Sequence, residues 1–255
     1  MKSGPDQSLE LHSFKNIELL THEKSAEKVI HAIEEGRHLF EPIGEGGNAE
    51  VFALRESGLE LSHVCLKEIK DQPVLKGNDL LAEAKIQNDA HDFGVRTPLV
   101  YSIVESNEGK RYFLMERIFG ASLEDFAKDQ KKKLPENITP ESFTKDFRKQ
   151  VDEMHKAGIV HRDLRSANVM INTKGEVVII DFGVAAKGYS PDSARSSELP
   201  YEETVMMWDP AQEKYLMKNG YFVNDLESVS LAEKTLRSVL YRGIPTSFDQ
   251  FGQPR

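Results

Sequence analysis

Three groups of residues in this chain have the types and spacing to do chemistry. The first is His161-Arg162-Asp163-Leu164-Arg165-Ser166-Ala167-Asn168, followed further on by Asp181-Phe182-Gly183. Asp163 and Asn168 stand five residues apart in what reads as a loop before a strand, a spacing that lets their side chains converge. Asp181 ends the apolar run Val177-Val178-Ile179-Ile180. Carboxylate and amide oxygens side by side suit a hard cation such as Mg²⁺, which takes few protein ligands and completes its shell with phosphate and water oxygens. A phosphoryl-transfer centre needs those parts together with a carboxylate that orients the attacking hydroxyl.

The second group centres on Lys67 within Val64-Cys65-Leu66-Lys67-Glu68-Ile69, where a charge interrupts a strand that otherwise reads as buried. An unpaired buried ammonium is strongly disfavoured, so a lysine there calls for an anionic partner. Glu83, sixteen residues later on a helical pattern, can supply it. Such a pair can hold the cation against nucleotide phosphates; the same residues also read as a surface lysine and a solvated glutamate. The third group is Gly44-Glu45-Gly46-Gly47-Asn48-Ala49-Glu50-Val51. Glycines let a backbone turn approach a phosphate and present its N–H groups. An ordinary hairpin turn has the same composition, and the segment is neither a Walker sequence nor followed by the helix of a Rossmann fingerprint.

The elements that must position these residues follow from periodicity. Residues 1–36 read as a helical extension: Leu9, Leu11, Phe14, Ile17 and Leu20 fall near helical spacing, and Ser25 opens a second helix closed by Gly36. Residues 37–43, 50–55 and 63–69 read as three antiparallel strands, 78–92 as a helix stopped by Gly94, and 99–104 with 111–118 as a hairpin. Beyond residue 118 the pattern turns helical. Helices are predicted over 122–128, 139–156 and 225–241, with short strands at 169–171 and 177–180. Residues 129–137, with Lys131-Lys132-Lys133, read as a solvated loop. Residues 184–209, rich in Ser, Pro, Glu and Gly, show no obvious structure, and a stretch of that kind in a compact domain is more often functional than accidental. The sum is an α+β, two-lobed architecture: the extension over 1–36, a β-rich lobe with one main helix over 37–117, and a mostly helical lobe over 118–255.

From about residue 37 to about residue 241 the chain resembles a protein kinase of the eukaryotic type, on its His-Arg-Asp and Asp-Phe-Gly motifs in this order and context. The resemblance implies a two-lobed kinase fold binding ATP with Mg²⁺, or Mn²⁺ in its place, and a protein substrate. It implies Asp163 as the base that orients the substrate hydroxyl, Asn168 and Asp181 as metal ligands, and Lys67 on the α- and β-phosphates with Glu83 as its helix partner. Gly44 and Gly46 match the phosphate-covering loop, Val51 and Cys65 the roof over adenine, and Met170 its floor. Met115 matches the gatekeeper, ahead of the hinge Glu116-Arg117-Ile118. Arg165, which can neutralise a transferring phosphate, stands where serine/threonine kinases commonly have lysine, and its Leu-Arg sequence is similar to that of some tyrosine kinases, so the choice of hydroxyl stays open. Ala49 replaces the third glycine of the loop. No Ala-Pro-Glu is present; Glu213 is the nearest match. Arg162 is of the type that pairs with a phosphorylated activation segment, for which Ser190, Ser193, Ser196, Ser197 and Thr204 are candidates, with Glu202 and Glu203 as built-in negative charge.

With 30 residues after Asp225, the helical lobe is expected to be shortened, similar in shape to effector kinases that some bacterial pathogens deliver into host cells, with an activating or lobe-completing protein partner as a further expectation. Three roles stay open for residues 1–36: a secretion signal, a brace for the small lobe, or neither. Two other functions compete: a small-molecule kinase of the antibiotic- or choline-kinase type, and a pseudokinase that binds a partner.

Composition sets the outer bounds. In 255 residues, 39% are hydrophobic and 29% charged, which is ordinary for a globular protein and too apolar for a disordered one. A net charge of −9 argues against a broad nucleic-acid binder, which needs clustered positive charge. The single cysteine, Cys65, excludes an internal disulfide and any cysteine-based zinc site. No apolar signal region and no run of 18 apolar residues occurs, so the expectation is a cytoplasmic-type protein without a membrane span.

Overall fold

The computed structural model describes residues 9–10, 14–19, 39–45, 50–54, 62–69, 80–106, 109–190, 204–209, 214–219 and 225–242. Strands β1 (Leu9–Glu10), β2 (Phe14–Leu19), β3 (Leu39–Glu45), β4 (Glu50–Leu54), β5 (Val64–Ile69), β6 (Val100–Ser106) and β7 (Arg111–Glu116) form one antiparallel sheet. Their order is β1-β3-β4-β5-β7-β6-β2. The middle of this sheet is the expected set, with boundaries shifted by a residue or two.

Its two edges correct the sequence reading. Residues 9–10 and 14–19 are strands rather than helix, β1 pairing with β3 and β2 with β6. The three-residue step from Phe14 to Ile17 has helical periodicity, but the β2–β6 register shifts between Asn16 and Glu18. One bulged residue converts such a step into interrupted alternation. The exposed backbone of β6 supplies what the local pattern cannot show, a ladder to pair with. Leu11, Leu20 and the second expected helix, with Ser25 and Gly36, lie outside the described residues.

Helix α1 (Leu80–Asp92) lies on the sheet and carries Glu83 in its first turn. Asn88 fixes it there: Asn88 Nδ2 donates to the Val100 carbonyl and the Val100 N–H donates back to Asn88 Oδ1, both at 2.9 Å. The helix stops at Gly94, whose φ of 89° is open to glycine and strained for other residues. Cys65, Ala84, Val100, Ile103, Phe113 and Met115 form the core between helix and sheet.

The rest of the chain builds a second core. Strand β8 (Gly120–Ser122) leads into α2 (Leu123–Lys128), which Ser122 caps reciprocally with Asp125. Helix α3 (Pro140–Lys156) is capped by Thr139 and buries Phe143, Phe147, Val151, Met154 and His155 on one face. Strands β9 (Ile159–Val160), β10 (Val169–Asn172), β11 (Val177–Ile179) and β12 (Ala186–Lys187) follow. β10 sits between β11 and β8, and β12 pairs with β9. Strands β13 (Thr204–Asp209) and β14 (Lys214–Asn219) pair as a hairpin before helix α4 (Asp225–Leu240), which packs on α3 and α2. Residues 184–209 therefore hold two strands where none was expected. β12 is two residues long and its partner lies 27 positions upstream, so no local pattern announces it. The fold is mixed α+β. No helix among the described residues is long and apolar enough to cross a membrane.

Candidate active site

Lys67 sits in β5 between Val51 of β4 and Phe113 of β7. Its Nζ lies 2.8 Å from Asp181 Oδ1 and 3.5 Å from Glu83 Oε1. The partner that the buried lysine called for is thus present twice. Burial works against the Lys67 charge, but Asp181 and Glu83 outweigh it and hold the ammonium above the ordinary lysine range. Lys67 in turn holds the Asp181 carboxyl below the usual carboxylate range, against its burial. Glu83 goes the other way: burial pushes its carboxyl up, the longer contact to Lys67 offsets part of that, and Asp181 adds to it. One ammonium is shared unequally, and the nearer carboxylate keeps the firmer charge.

The loop between β9 and β10 holds the second cluster. Asn168 Nδ2 donates to the Asp163 carbonyl at 2.9 Å and to Asp163 Oδ2 at 2.8 Å, and Arg165 Nε lies 3.3 Å from the same Oδ2. Burial pushes the Asp163 carboxyl up, with Arg165 and the Asn168 bond opposing and Asp181 adding. His161 joins the two clusters. Its Nε2–H donates to the Ile180 carbonyl at 3.1 Å and its Nδ1 accepts from the Asp163 N–H at 3.3 Å. These two bonds require the neutral ring, and burial holds the imidazole below its ordinary range. The ring meets Phe182 edge-on at 4.8 Å between centroids.

Two residues of the site stand on left-handed backbone, Arg162 at φ 70° and Asp181 at φ 68°, and no other non-glycine residue does so among the described ones. Such conformations persist only when the surroundings over-determine them. Lys67 restrains Asp181. Arg162 is restrained by Asp225, at the start of α4 and buried. Asp225 Oδ1 accepts from the Arg162 N–H at 2.9 Å, and Oδ2 accepts from the His161 N–H at 2.9 Å and from His155 Nε2 at 3.0 Å. Burial opposes the Asp225 charge, but the His155 bond and the bond from the His161 backbone N–H outweigh it, holding the carboxyl below the usual range.

The remaining candidates occupy the surrounding strands. Gly44 pairs with Val51 at the β3–β4 register shift. Cys65 is buried opposite Met115 across β5 and β7, and burial pushes its thiol up to about 12. The thiol donates to the Glu116 carbonyl at 3.5 Å. The Glu116 N–H donates to the Leu99 carbonyl and the Arg117 N–H to the His63 carbonyl. Ile118 is half-buried beyond them, and Met170 is half-buried in β10, opposite Val178 and Ser122. Gly46, Ala49, Glu202, Glu203, Glu213, Ser193, Ser196 and Ser197 lie outside the described residues. Sequence reasoning placed Asp225 at a helix start and His155 near the apolar face of the 139–156 helix without giving either a task at the site, and missed Tyr189. For His155 a signal existed: a histidine on the apolar face of a helix needs a polar partner.

The donor set fits a hard divalent cation. Both Asn168 bonds to Asp163 use its Nδ2, so they leave the amide oxygen unspent; Lys67 takes one Asp181 oxygen and leaves the other. Among the described residues no group of three or more His, Cys, Asp or Glu could form a protein-only cage. A cation held by Asn168 and Asp181 would draw its other ligands from phosphate and water, the habit of Mg²⁺.

Comparison with known proteins agrees with this geometry. The family profile of the protein kinase domain matches residues 37–204. The chain is 38% identical over 157 residues to the serine/threonine-protein kinase PknD of Chlamydia trachomatis, covering 56% of this chain and 16% of that protein. It is 28% identical over 158 residues to a probable serine/threonine-protein kinase of Streptomyces coelicolor, covering 59% of this chain and 23% of the relative. A probable serine/threonine-protein kinase of Clostridium perfringens is 28% identical over 170 residues, covering 66% and 23%. The chain spans about a sixth to a quarter of the length of these curated relatives.

Proposed function

The chain belongs to the protein kinase family, and from that premise we propose that it transfers the γ-phosphate of ATP to a serine or threonine hydroxyl of a protein substrate, with Mg²⁺. The observation that carries this reading is the convergence of Lys67, Glu83 and Asp181 beside the Asp163–Asn168–Arg165 loop. In it, residues 37–117 and 118–255 are the two lobes, and the nucleotide lies between Val51 and Cys65 above and Met170 below, with Met115, Glu116 and Ile118 along its edge and the backbone of Gly44 and Gly46 over the phosphates. Lys67, held by Glu83 and Asp181, is a rigid cation for the α- and β-phosphates. Asp163 accepts a hydrogen bond from the substrate hydroxyl and aims it at the phosphorus; its carboxylate is available because Asn168 and Arg165 fix its orientation. Arg165, on the open side, stabilises charge on the transferring group. Asn168 and Asp181 would hold the cation, which when bound neutralises phosphate charge.

Catalysis on this reading is positioning and electrostatics. The family match covers the Asp181–Phe182–Gly183 segment and Arg162, which supports a protein acceptor over a small molecule. An activating partner and work in a host cytosol are extensions supported by the resemblance alone. The test is incubation with γ-labelled ATP and Mg²⁺, wild type beside Asp181→Ala, on a generic protein substrate, read by phosphopeptide mass spectrometry. Label on serine or threonine that vanishes in the variant is the expected result. Nucleotide binding without any transfer would favour the pseudokinase instead.

A further inference from the structure

Arg162 makes a side-chain contact that none of these roles uses. Its Nη2 donates to the Tyr189 hydroxyl at 2.5 Å, and its guanidinium carbon lies 5.8 Å from the centroid of the same ring. Both residues are half-buried. A guanidinium is always charged and carries its donors in a rigid fork. A phenol offers it both an oxygen acceptor and a π-face, and neither needs a phosphate.

Tyr189 is itself anchored. Its N–H and that of Gly188 donate to the Gly158 carbonyl, at 3.1 and 3.0 Å. Gly158 has a φ of 71°, and a Cβ there would stand 2.5 Å from the Tyr189 carbonyl oxygen, so this approach requires glycine. Just upstream, β12 pairs with β9, which runs directly into His161. Lys187 Nζ reaches Asp89 Oδ2 at 2.5 Å, on the helix that carries Glu83. A continuous line of contacts runs from α1 through Lys187 and Tyr189 to Arg162, the neighbour of Asp163.

We propose that Tyr189 is a positioning residue: its hydroxyl clamps Arg162 and so holds the Asp163 loop and residues 186–189 together while that segment carries no phosphate. The proposal rests on the reading of Asp163 as the residue that orients the substrate hydroxyl. It departs from the expectation that Arg162 waits for a phosphorylated residue. Tyr189→Phe is the informative variant, because it keeps the ring on the guanidinium and deletes the acceptor alone.

The experiment uses the full chain, wild type and Tyr189→Phe, treated with a phosphatase and confirmed free of phosphate by intact mass. Rates are measured with Mg²⁺-ATP and dephosphorylated casein. Amide hydrogen exchange is followed in parallel over residues 158–163 and 186–189. The dephosphorylated wild type is expected to keep the rate it had before treatment. Tyr189→Phe is expected to lower kcat about tenfold, the worth of a hydrogen bond to a charged donor, with the KM for ATP within about twofold, because Lys67 and Glu83 are untouched. Its exchange should be about tenfold faster over the two segments and unchanged in β10 and β11. A variant equal to wild type in kcat and in exchange overturns the clamp, as does a wild type that loses its rate on dephosphorylation. A wild type that transfers no phosphate to any acceptor refutes the kinase reading instead, and the exchange comparison still decides the clamp.

Discussion

Asp225 supports the site without belonging to its chemistry, and its removal can be worked out atom by atom. Oδ2 accepts from His155 Nε2 and the His161 N–H, and Oδ1 accepts from the Arg162 N–H. In Asp225→Asn the amide oxygen can take the Oδ2 position and keep the first two bonds. Its NH2 then faces the Arg162 N–H, donor against donor. One buried backbone donor goes unsatisfied, which costs about 1–3 kcal/mol, and the two surviving bonds lose their charge assistance. We expect a loss of about 2–3 kcal/mol for Asp225→Asn, and of about 3–5 kcal/mol for Asp225→Ala, which strands all three donors. At roughly 2–4 °C of Tm per kcal/mol in a chain of this size, the asparagine variant should melt about 4–12 °C lower. The assay is urea and thermal unfolding followed by circular dichroism, with amide exchange at His161 and Arg162. The pH dependence carries a sign. The folded Asp225 carboxyl is held below the usual range, so its contribution is fully present above the ordinary aspartate value of about 3.9 and is lost as pH falls through the folded value. The gap between wild type and Asp225→Asn should therefore be constant near neutrality and close in acid. An asparagine variant within about 0.5 kcal/mol of wild type, or an alanine variant no worse than it, would refute the reasoning.

Three further outcomes follow from the same geometry. Cys65, buried and with its thiol pushed up to about 12, should resist iodoacetamide at pH 8 in the native protein and react once unfolded; rapid native alkylation would contradict its placement. Arg165 holds the Asp163 carboxyl down against burial, so Arg165→Ala should move the acid limb of the pH–rate profile to higher pH, and added salt should shrink the difference because Arg165 is 61% exposed. A limb that moves to lower pH would reverse the sign of this argument. A Cβ at Gly120 would collide with the Ile171 carbonyl across the β8–β10 ladder, so Gly120→Ala should cost about 1–3 kcal/mol, read by the same unfolding assay.

The residues of the candidate site were legible because their constraints are local. Asp163 and Asn168 share one loop, Asp181 ends an apolar strand, and a lysine inside a buried strand demands a partner wherever the fold puts it. Helix ends were legible for the same reason: the predicted ranges open at Ser122 and Thr139, the residues that cap α2 and α3 in the structure, and Gly94 ends α1. What escaped was pairing at long range. β2 is specified by the open edge of β6, some 90 residues away, and β12 by β9; neither pattern differs enough from helix or coil to be read alone. Tyr189 escaped for a related reason. A tyrosine in a polar segment has no marked partner until β12 brings it beside Arg162.

The left-handed residues explain why supports that touch no substrate matter here. Arg162 precedes Asp163, and Asp181 is itself in the charged cluster, so the backbone strain lies at the groups whose direction the proposed chemistry depends on. Each is held by a charged side chain from a distant part of the chain: Asp181 by its ion pair with Lys67 of β5, and Arg162 by the bond from its backbone N–H to the Asp225 carboxylate of α4. If either partner is lost, the strained residue can relax toward ordinary backbone, at about 1–3 kcal/mol in its favour, and the side chain it aims turns with it. Variants at these supports should therefore lower kcat more than they raise the KM for ATP wherever the chain still folds. Asp225→Asn at a temperature well below its midpoint is the case to measure. A rise in KM with kcat unchanged would mean that Asp225 supports nucleotide binding, not the aim of Asp163.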